Sequence, residues 1–327
     1  DNAKCLYDLD EFWNSFDKPE ATRNVSGKLL NIINNVVPNM FGGAADLAPS
    51  TKTNMKDAGD YSKENPLGKN IHFGIREIAM AAIGNGIALH GGLRPFVSTF
   101  FVFSDYTKPM ARLSSLMKLP VTYIFTHDSI GDGEDGTTHE TIEQLAALRS
   151  LPNFTVFRPC DKVETSAAWM YAATSKETPT ALVLTRQNLP QMPGSSKEAL
   201  NGGYIIDDSS KAVPDAIIIA SGSEVSLAVE AKAELAKKDI DVRVVSMPSM
   251  DLFEEQSAEY RESVLPDAVR KRVAVEALSD FGWYRYVGLD GAVVSMKGFG
   301  ASGPAAELFK KFGLTTEAVV KAVEGIM

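Results

Sequence analysis

Val121-Thr122-Tyr123-Ile124-Phe125, followed at once by Thr126-His127-Asp128-Ser129-Ile130-Gly131-Asp132-Gly133-Glu134-Asp135-Gly136-Thr137-Thr138-His139-Glu140, decides the fold class. An apolar run without charge reads as a strand covered on both faces, which is the habit of parallel sheets. Thr155–Phe157 and Ala181–Leu184 repeat the pattern, with helical stretches at Ile142–Arg149 and Val163–Thr174 between them. Upstream, Val25, Leu29, Ile32, Ile33 and Val36 carry helical spacing ended by Pro38, before a glycine-rich loop at Gly42–Gly43. Ile78–Leu89 reads as a buried helix whose Gly84 and Gly86 permit close packing. Downstream, Pro190–Gly203 breaks the periodicity. Ala216–Ala220, a helix over Val225–Lys238, Val242–Ser246 and Arg272–Val275 then start a second strand–helix–strand unit. The expected fold class is α/β, with two domains, each a mainly parallel sheet flanked by helices. The boundaries are a linker segment at 1–19, a first domain at 20–190, a linker at 191–203 and a second domain at 204–327.

The bulk numbers fit that division. The 327 residues suit two domains, and 44% hydrophobic with 23% charged residues is ordinary for a globular chain. A net charge of −9 argues against nonspecific nucleic-acid binding, so any anionic ligand must be caught locally. Cys5 and Cys160 show neither disulfide nor metal spacing, and no long apolar segment or export signal stands out. A cytoplasmic protein without membrane or nucleic-acid partners is expected.

The polar cluster after Phe125 lies where α/β sheets bind ligands, at the carboxyl end of a strand. Its glycines let backbone approach a ligand closely. An acidic surface loop is the alternative. His127 and His139 lack the repeated spacing of zinc ligands, so no metal site is assigned. Phe100, Phe103 and Tyr106 have the spacing of a helical core stripe, Arg76-Glu77 that of a surface ion pair, and Arg23 and Arg186 could be ordinary exposed charges.

Four segments together resemble one family. They are Gly43-Ala44-Ala45-Asp46-Leu47-Ala48-Pro49-Ser50, His72-Phe73-Gly74-Ile75-Arg76-Glu77, the two-histidine loop, and Thr185-Arg186-Gln187-Asn188. Their order and spacing are similar to transketolase across the chain after residue 20, with Gly300-Ala301-Ser302-Gly303 resembling the family's C-terminal domain. The resemblance implies a pyrimidine-binding domain followed by that C-terminal domain. It implies transfer of a two-carbon ketol unit between ketose and aldose phosphates, such as xylulose 5-phosphate and ribose 5-phosphate, with thiamine diphosphate as cofactor.

The resemblance also implies roles. Glu77 would share a proton with the cofactor's aminopyrimidine, Phe100, Phe103 and Tyr106 would line the pyrimidine pocket, and Asp46 would lie near the cofactor and a subunit interface. Arg23, Ser50, His127 and Arg186 would hold the substrate phosphate, and Asp135 and His139 would meet sugar hydroxyls, His139 also moving protons. Family members run to roughly twice this length, and their N-terminal domain holds magnesium or calcium and the diphosphate. Gly131-Asp132-Gly133 only mimics that domain's motif. A homodimer, and no activity from this chain without the N-terminal diphosphate-binding domain, are the corresponding expectations. Ile78 stands where many relatives have His or Phe, and Thr141 where proline is commoner. Deoxyxylulose-phosphate synthase, the β subunit of a 2-oxo-acid dehydrogenase, and a noncatalytic scaffold or regulatory module are the rivals.

Overall fold

The structure, a computed structural model, describes residues 2–14 and 18–327. Its first sheet has six strands: β1 (Met40–Ala44), β2 (Asn70–His72), β3 (Arg94–Phe100), β4 (Thr122–Thr126), β5 (Thr155–Phe157) and β6 (Thr180–Leu184). All pair in parallel, in the order β2-β1-β3-β4-β6-β5. Alternation along the strands feeds two cores. Ile124, Leu182 and Leu184 pack with Leu29, Ile33 and Trp169, while Tyr123, Phe125, Ala181 and Val183 pack with Met80, Ala81 and Ala111 on the other face. Burial on both faces is why β4 and β6 carry no polar stripe.

Three features differ from the sequence reading. Gly42 and Gly43 lie within β1, where a Cβ would overlap the Phe96 or Ile71 carbonyl; the glycines allow the strands to approach and hide the strand signal. The helix Glu77–His90 is only half covered. Met80, Ala81 and Gly84 face the sheet, with Gly84 against Val97, but Ile78, Ile83 and Leu89 are exposed. Ile75, also exposed, lines the same cleft as Ile78, so the apolar composition reflects a surface this chain does not cover. Finally, of the segment expected as a linker before residue 20, Leu6 and Phe12 are fully buried in the first core, and Ser166 Oγ donates to the Phe12 carbonyl at 2.6 Å.

The second sheet comprises β7 (Tyr204–Asp207), β8 (Ala216–Ala220), β9 (Val242–Ser246), β10 (Arg272–Ser279) and β11 (Ala292–Met296). Its order is β11-β10-β8-β9-β7, parallel except for the antiparallel edge strand β7. The polar stretch between the domains is strapped down, because Asp161 accepts hydrogen bonds from Gln191 Nε2, Met192 N–H and Ser195 Oγ.

In each sheet the winding reverses once near the middle, between β1 and β3 and between β8 and β10. Such reversals open a crevice beyond the strand ends. The second crevice is closed by the first domain. Arg158, following β5, donates to Asp128 Oδ2 at 2.9 Å, to the Ser221 carbonyl at 2.8 Å and to Glu224 Oε2 at 2.5 Å. Arg149 makes a two-pronged contact with Glu276, 2.9 Å on each prong.

Candidate active site

The first crevice remains open, and local hydrogen bonding fixes its polar end. Thr22 N–H donates to Thr185 Oγ1 at 3.1 Å and Thr185 N–H to Thr22 Oγ1 at 2.8 Å. Asn188 Oδ1 accepts from Ala21 N–H at 3.0 Å. Thr185 and Asn188 thus anchor the start of the helix Thr22–Val36 on the end of β6, bringing Arg23 to the same place as Arg186. Arg23 Nη1 donates to the Ser50 carbonyl at 3.0 Å and lies 3.3 Å from His127 Nε2. A guanidinium can only donate, so Nε2 accepts and His127 Nδ1 carries the proton, directed at Thr126 Oγ1 2.8 Å away. Burial, then Arg23, Arg186 and His139, push His127 down to about 3, so its ring is neutral.

His127 also has φ of 64°, a left-handed conformation that turns its ring back over the end of β4. Its ring lies 3.8 Å, centroid to centroid, from Phe100. Phe100 and Phe103 stack at 6.2 Å, and Phe103 and Tyr106 at 6.0 Å. His139 approaches this row edge-on, 5.6 Å from Phe103 and 6.2 Å from Phe100.

At the far end of the row opens a cleft of about 770 Å³, lined by Asp46, Ile75, Arg76, Glu77, Phe103 and Tyr106 among others. Gly74, at φ of 68°, makes the tight turn before the helix Glu77–His90. Arg76 is tied to the Phe73 carbonyl at 3.1 Å, which leaves Glu77 buried at the cleft. A mostly apolar cleft with one buried carboxylate and flat aromatic faces suits a flat polar heterocycle.

The second domain closes over the histidine loop. Ser302 Oγ donates to the Glu134 carbonyl at 2.6 Å, and Gly300 passes so close to Glu140 that a Cβ there would overlap its carboxylate. Thr141 Oγ1 donates to the Asp128 carbonyl at 2.5 Å, tying the loop's two ends together. Among the described residues, no group of three or more His, Cys, Asp or Glu is placed to hold a metal.

Comparison with known proteins gives the family. The model described as "Transketolase, pyrimidine binding domain" matches residues 18–192, over half of the chain, and the transketolase-like C-terminal domain matches 202–315. The chain belongs to the transketolase family. It is 55% identical over 311 residues to the transketolase of Bacillus subtilis (strain 168), covering 94% of this chain and 47% of that protein. The structure of transketolase from Leishmania mexicana superposes with a TM-score of 0.92 at 45% identity, covering 96% of this chain and 46% of that one. The chain spans about half the length of the curated relatives it matches. A neighbour of similar extent is described as a split gene transketolase, an inactive β4 tetramer. It is 27% identical with a TM-score of 0.76, covering 94% of this chain and 98% of that one.

Of the residues singled out by resemblance to transketolase, Arg23, Ser50, His127 and Arg186 converge, Ser50 through its carbonyl. Asp46, Glu77, Phe103 and Tyr106 line the cleft. Phe100 lies outside it, bridging His127 and His139. Nor do the three aromatics form a helical core stripe: Phe100 ends β3, Phe103 is in a 3-10 turn, and Tyr106 is exposed in the next helix. Asp135 sits exposed on the rim of the loop. Sequence reasoning passed over Asp132, Gln187 and Arg158. For Arg158 the signal was a charge directly after an apolar strand, where only a buried partner would suit it.

Proposed function

We propose that this chain supplies the pyrimidine-binding and sugar-phosphate wall of a thiamine-diphosphate-dependent ketol transfer. Its substrates are a ketose phosphate such as xylulose 5-phosphate and an aldose phosphate such as ribose 5-phosphate. The observation that carries the reading is an unbroken chain of contacts: Phe103 and Tyr106 border the Glu77 cleft, Phe100 links Phe103 to His127, and His127 meets Arg23. When bound, thiamine diphosphate supplies the carbanion that attacks a sugar carbonyl.

Each residue has a task in that site. Glu77 holds a proton against the pyrimidine ring, and Phe103 and Tyr106 present their flat faces to it. Asp46 borders the same cleft. His139, half-buried beside the aromatic row, and Asp135 meet the sugar hydroxyls, and His139 moves a proton near the reacting carbon. Arg23 and Arg186 supply forked donors to the terminal phosphate, with Ser50 and His127 beside them.

The magnesium or calcium ion and the cofactor's diphosphate are assigned to a diphosphate-binding domain elsewhere in the polypeptide or on another chain; among the described residues no group of three or more His, Cys, Asp or Glu is placed to hold the metal. The exposed apolar face of Ile75, Ile78, Ile83 and Leu89 supports such a partner and a dimeric assembly. The split-gene neighbour, inactive as a β4 tetramer, supports the reading that a half of this extent does not turn over alone. No described helix is long and apolar enough to cross a membrane; a cytoplasmic location belongs to the same proposal.

Donor choice tests the reading against its enzyme rivals. With a complete assembly, xylulose 5-phosphate should give two-carbon transfer to ribose 5-phosphate, and pyruvate should give no product. Efficient use of pyruvate would point to deoxyxylulose-phosphate synthase or a 2-oxo-acid dehydrogenase instead.

A further inference from the structure

The turn Ile130–Asp132 carries a charged side chain to which the roles above give no work. Asp132 is 1% exposed and neither of its carboxylate oxygens has a hydrogen-bond partner. Oδ1 lies 3.7 Å from Arg186 Nε and 3.9 Å from His127 Nε2. Arg23 Nε and both polar atoms of the Gln187 amide, which packs against Gly131, are likewise buried without partners. Buried polar groups are nearly always satisfied, so unmet groups from three chain segments mark a place where a polar ligand completes the bonding.

An anion entering between the arginines must meet that carboxylate. With His127 neutral, two guanidiniums and an ionised Asp132 sum to one positive charge. A protonated Asp132 leaves two, and adds an O–H donor.

We propose that Asp132 sets the charge this subsite accepts: carrying a proton it donates to an oxygen of the substrate's phosphate, and without one it repels the phosphate dianion and favours uncharged sugar ends. The proposal rests on reading Arg23, His127 and Arg186 as the phosphate subsite. Its consequence is that a sugar phosphate binding at neutral or higher pH takes up a proton at Asp132.

The surroundings place this switch in an accessible range. Burial first, then Asp135, push Asp132 up to about 6, against the pull of Arg186, His139 and Arg23. Glu140 on the same loop faces it and is itself pushed up to about 7, chiefly by burial. The helix Ala305–Lys311, packed on the same turn, carries Glu307, Lys310 and Lys311, all exposed. An acid raised to about 6 is protonated below that pH and ionised above it, so phosphate binding should weaken as pH rises.

The test is calorimetric titration of ribose 5-phosphate, and separately of ribose, into the complete catalytic assembly. Wild type, Asp132→Asn and Asp132→Ser are compared at about pH 8 and about pH 5.5, in buffers of different protonation heat; the phosphate's own second ionisation near 6 is common to all three. At the higher pH the uncharged variants should bind ribose 5-phosphate on the order of tenfold more tightly than wild type, as for one charge-assisted contact. Wild type alone should take up the extra proton, and the gap should close at the lower pH. Equal affinity and equal proton uptake in all three, with ribose 5-phosphate still preferred to ribose, would overturn the role of Asp132 and leave the phosphate subsite standing. No preference for ribose 5-phosphate in any of them would remove the subsite itself, and this proposal with it.

Discussion

Beyond β1, β3, β4 and β6, the first crevice leaves Arg23 Nε, both oxygens of Asp132 and the Gln187 amide without partners. Beyond β8 and β10, the second crevice leaves its buried carboxylates fully engaged. Glu224 accepts from Arg158 Nη1 at 2.5 Å, Ser223 Oγ at 2.5 Å and Ala277 N–H at 2.8 Å. Glu276 accepts from Arg149, Ser221 Oγ and Trp283 Nε1. Burial raises Glu276, but Arg149 and Arg158 outweigh it and hold the group below its ordinary value. The two sheets share a winding pattern, yet one crevice keeps unpartnered polar groups and the other has received the first domain. Fold alone therefore does not locate function; the balance of satisfied and unsatisfied polar groups does.

The comparison can be broken first at the closed crevice. Arg158→Ala leaves Asp128 and Glu224 buried without their shared cation, and should lower stability by about 3–5 kcal/mol. Chemical denaturation measures it, and a loss no larger than that of a surface substitution would mean that the plug is not holding the domains together.

At the open crevice, Glu77→Gln in a complete assembly should slow exchange of the cofactor's C2 proton by on the order of a hundredfold, because an amide cannot share an acidic proton. Wild-type exchange rates would contradict the role of Glu77. Arg23→Ala and Arg186→Ala should each weaken phosphorylated substrates by about 1.5–3 kcal/mol more than their phosphate-free analogues. Equal losses for both substrate types would show that the arginines do not read the phosphate.

The smallest effect sharpens the contact between the two regions. Ser302→Ala removes the donor to the Glu134 carbonyl and should cost about 0.5–1.5 kcal/mol, read as faster amide exchange in residues 133–140 with global stability little changed. Unchanged exchange there would mean that the loop holds its shape without the second domain.

The strands that were legible in the sequence are those whose physics is local. Val121–Phe125 and Ala181–Leu184 could be read because central parallel strands need apolar residues on both faces. β1 was not, because Gly42 and Gly43 serve strand spacing, a long-range requirement that resembles loop composition. The resemblance brought Arg23, His127 and Arg186 to notice, and the reason for their convergence, the reciprocal Thr22–Thr185 bonds, spans 163 positions. Asp132 read only as part of a misleading Gly-Asp-Gly; its burial beside Arg186 depends on tertiary packing. Arg158 showed only as a charge directly after an apolar strand, and its partners Ser221 and Glu224 could not be read because they come from the other domain.

Ketol transfer from xylulose 5-phosphate to ribose 5-phosphate, measured with magnesium and thiamine diphosphate, tests the central claim most directly. The polypeptide of residues 1–327 is assayed by itself and again after addition of a separately expressed transketolase diphosphate-binding domain. On the function proposed above, the Glu77 cleft and the residues beside it are one wall of the site, so no appreciable turnover is expected from the polypeptide alone and turnover should appear when the second wall is added. Full turnover by residues 1–327 without that addition would contradict the account.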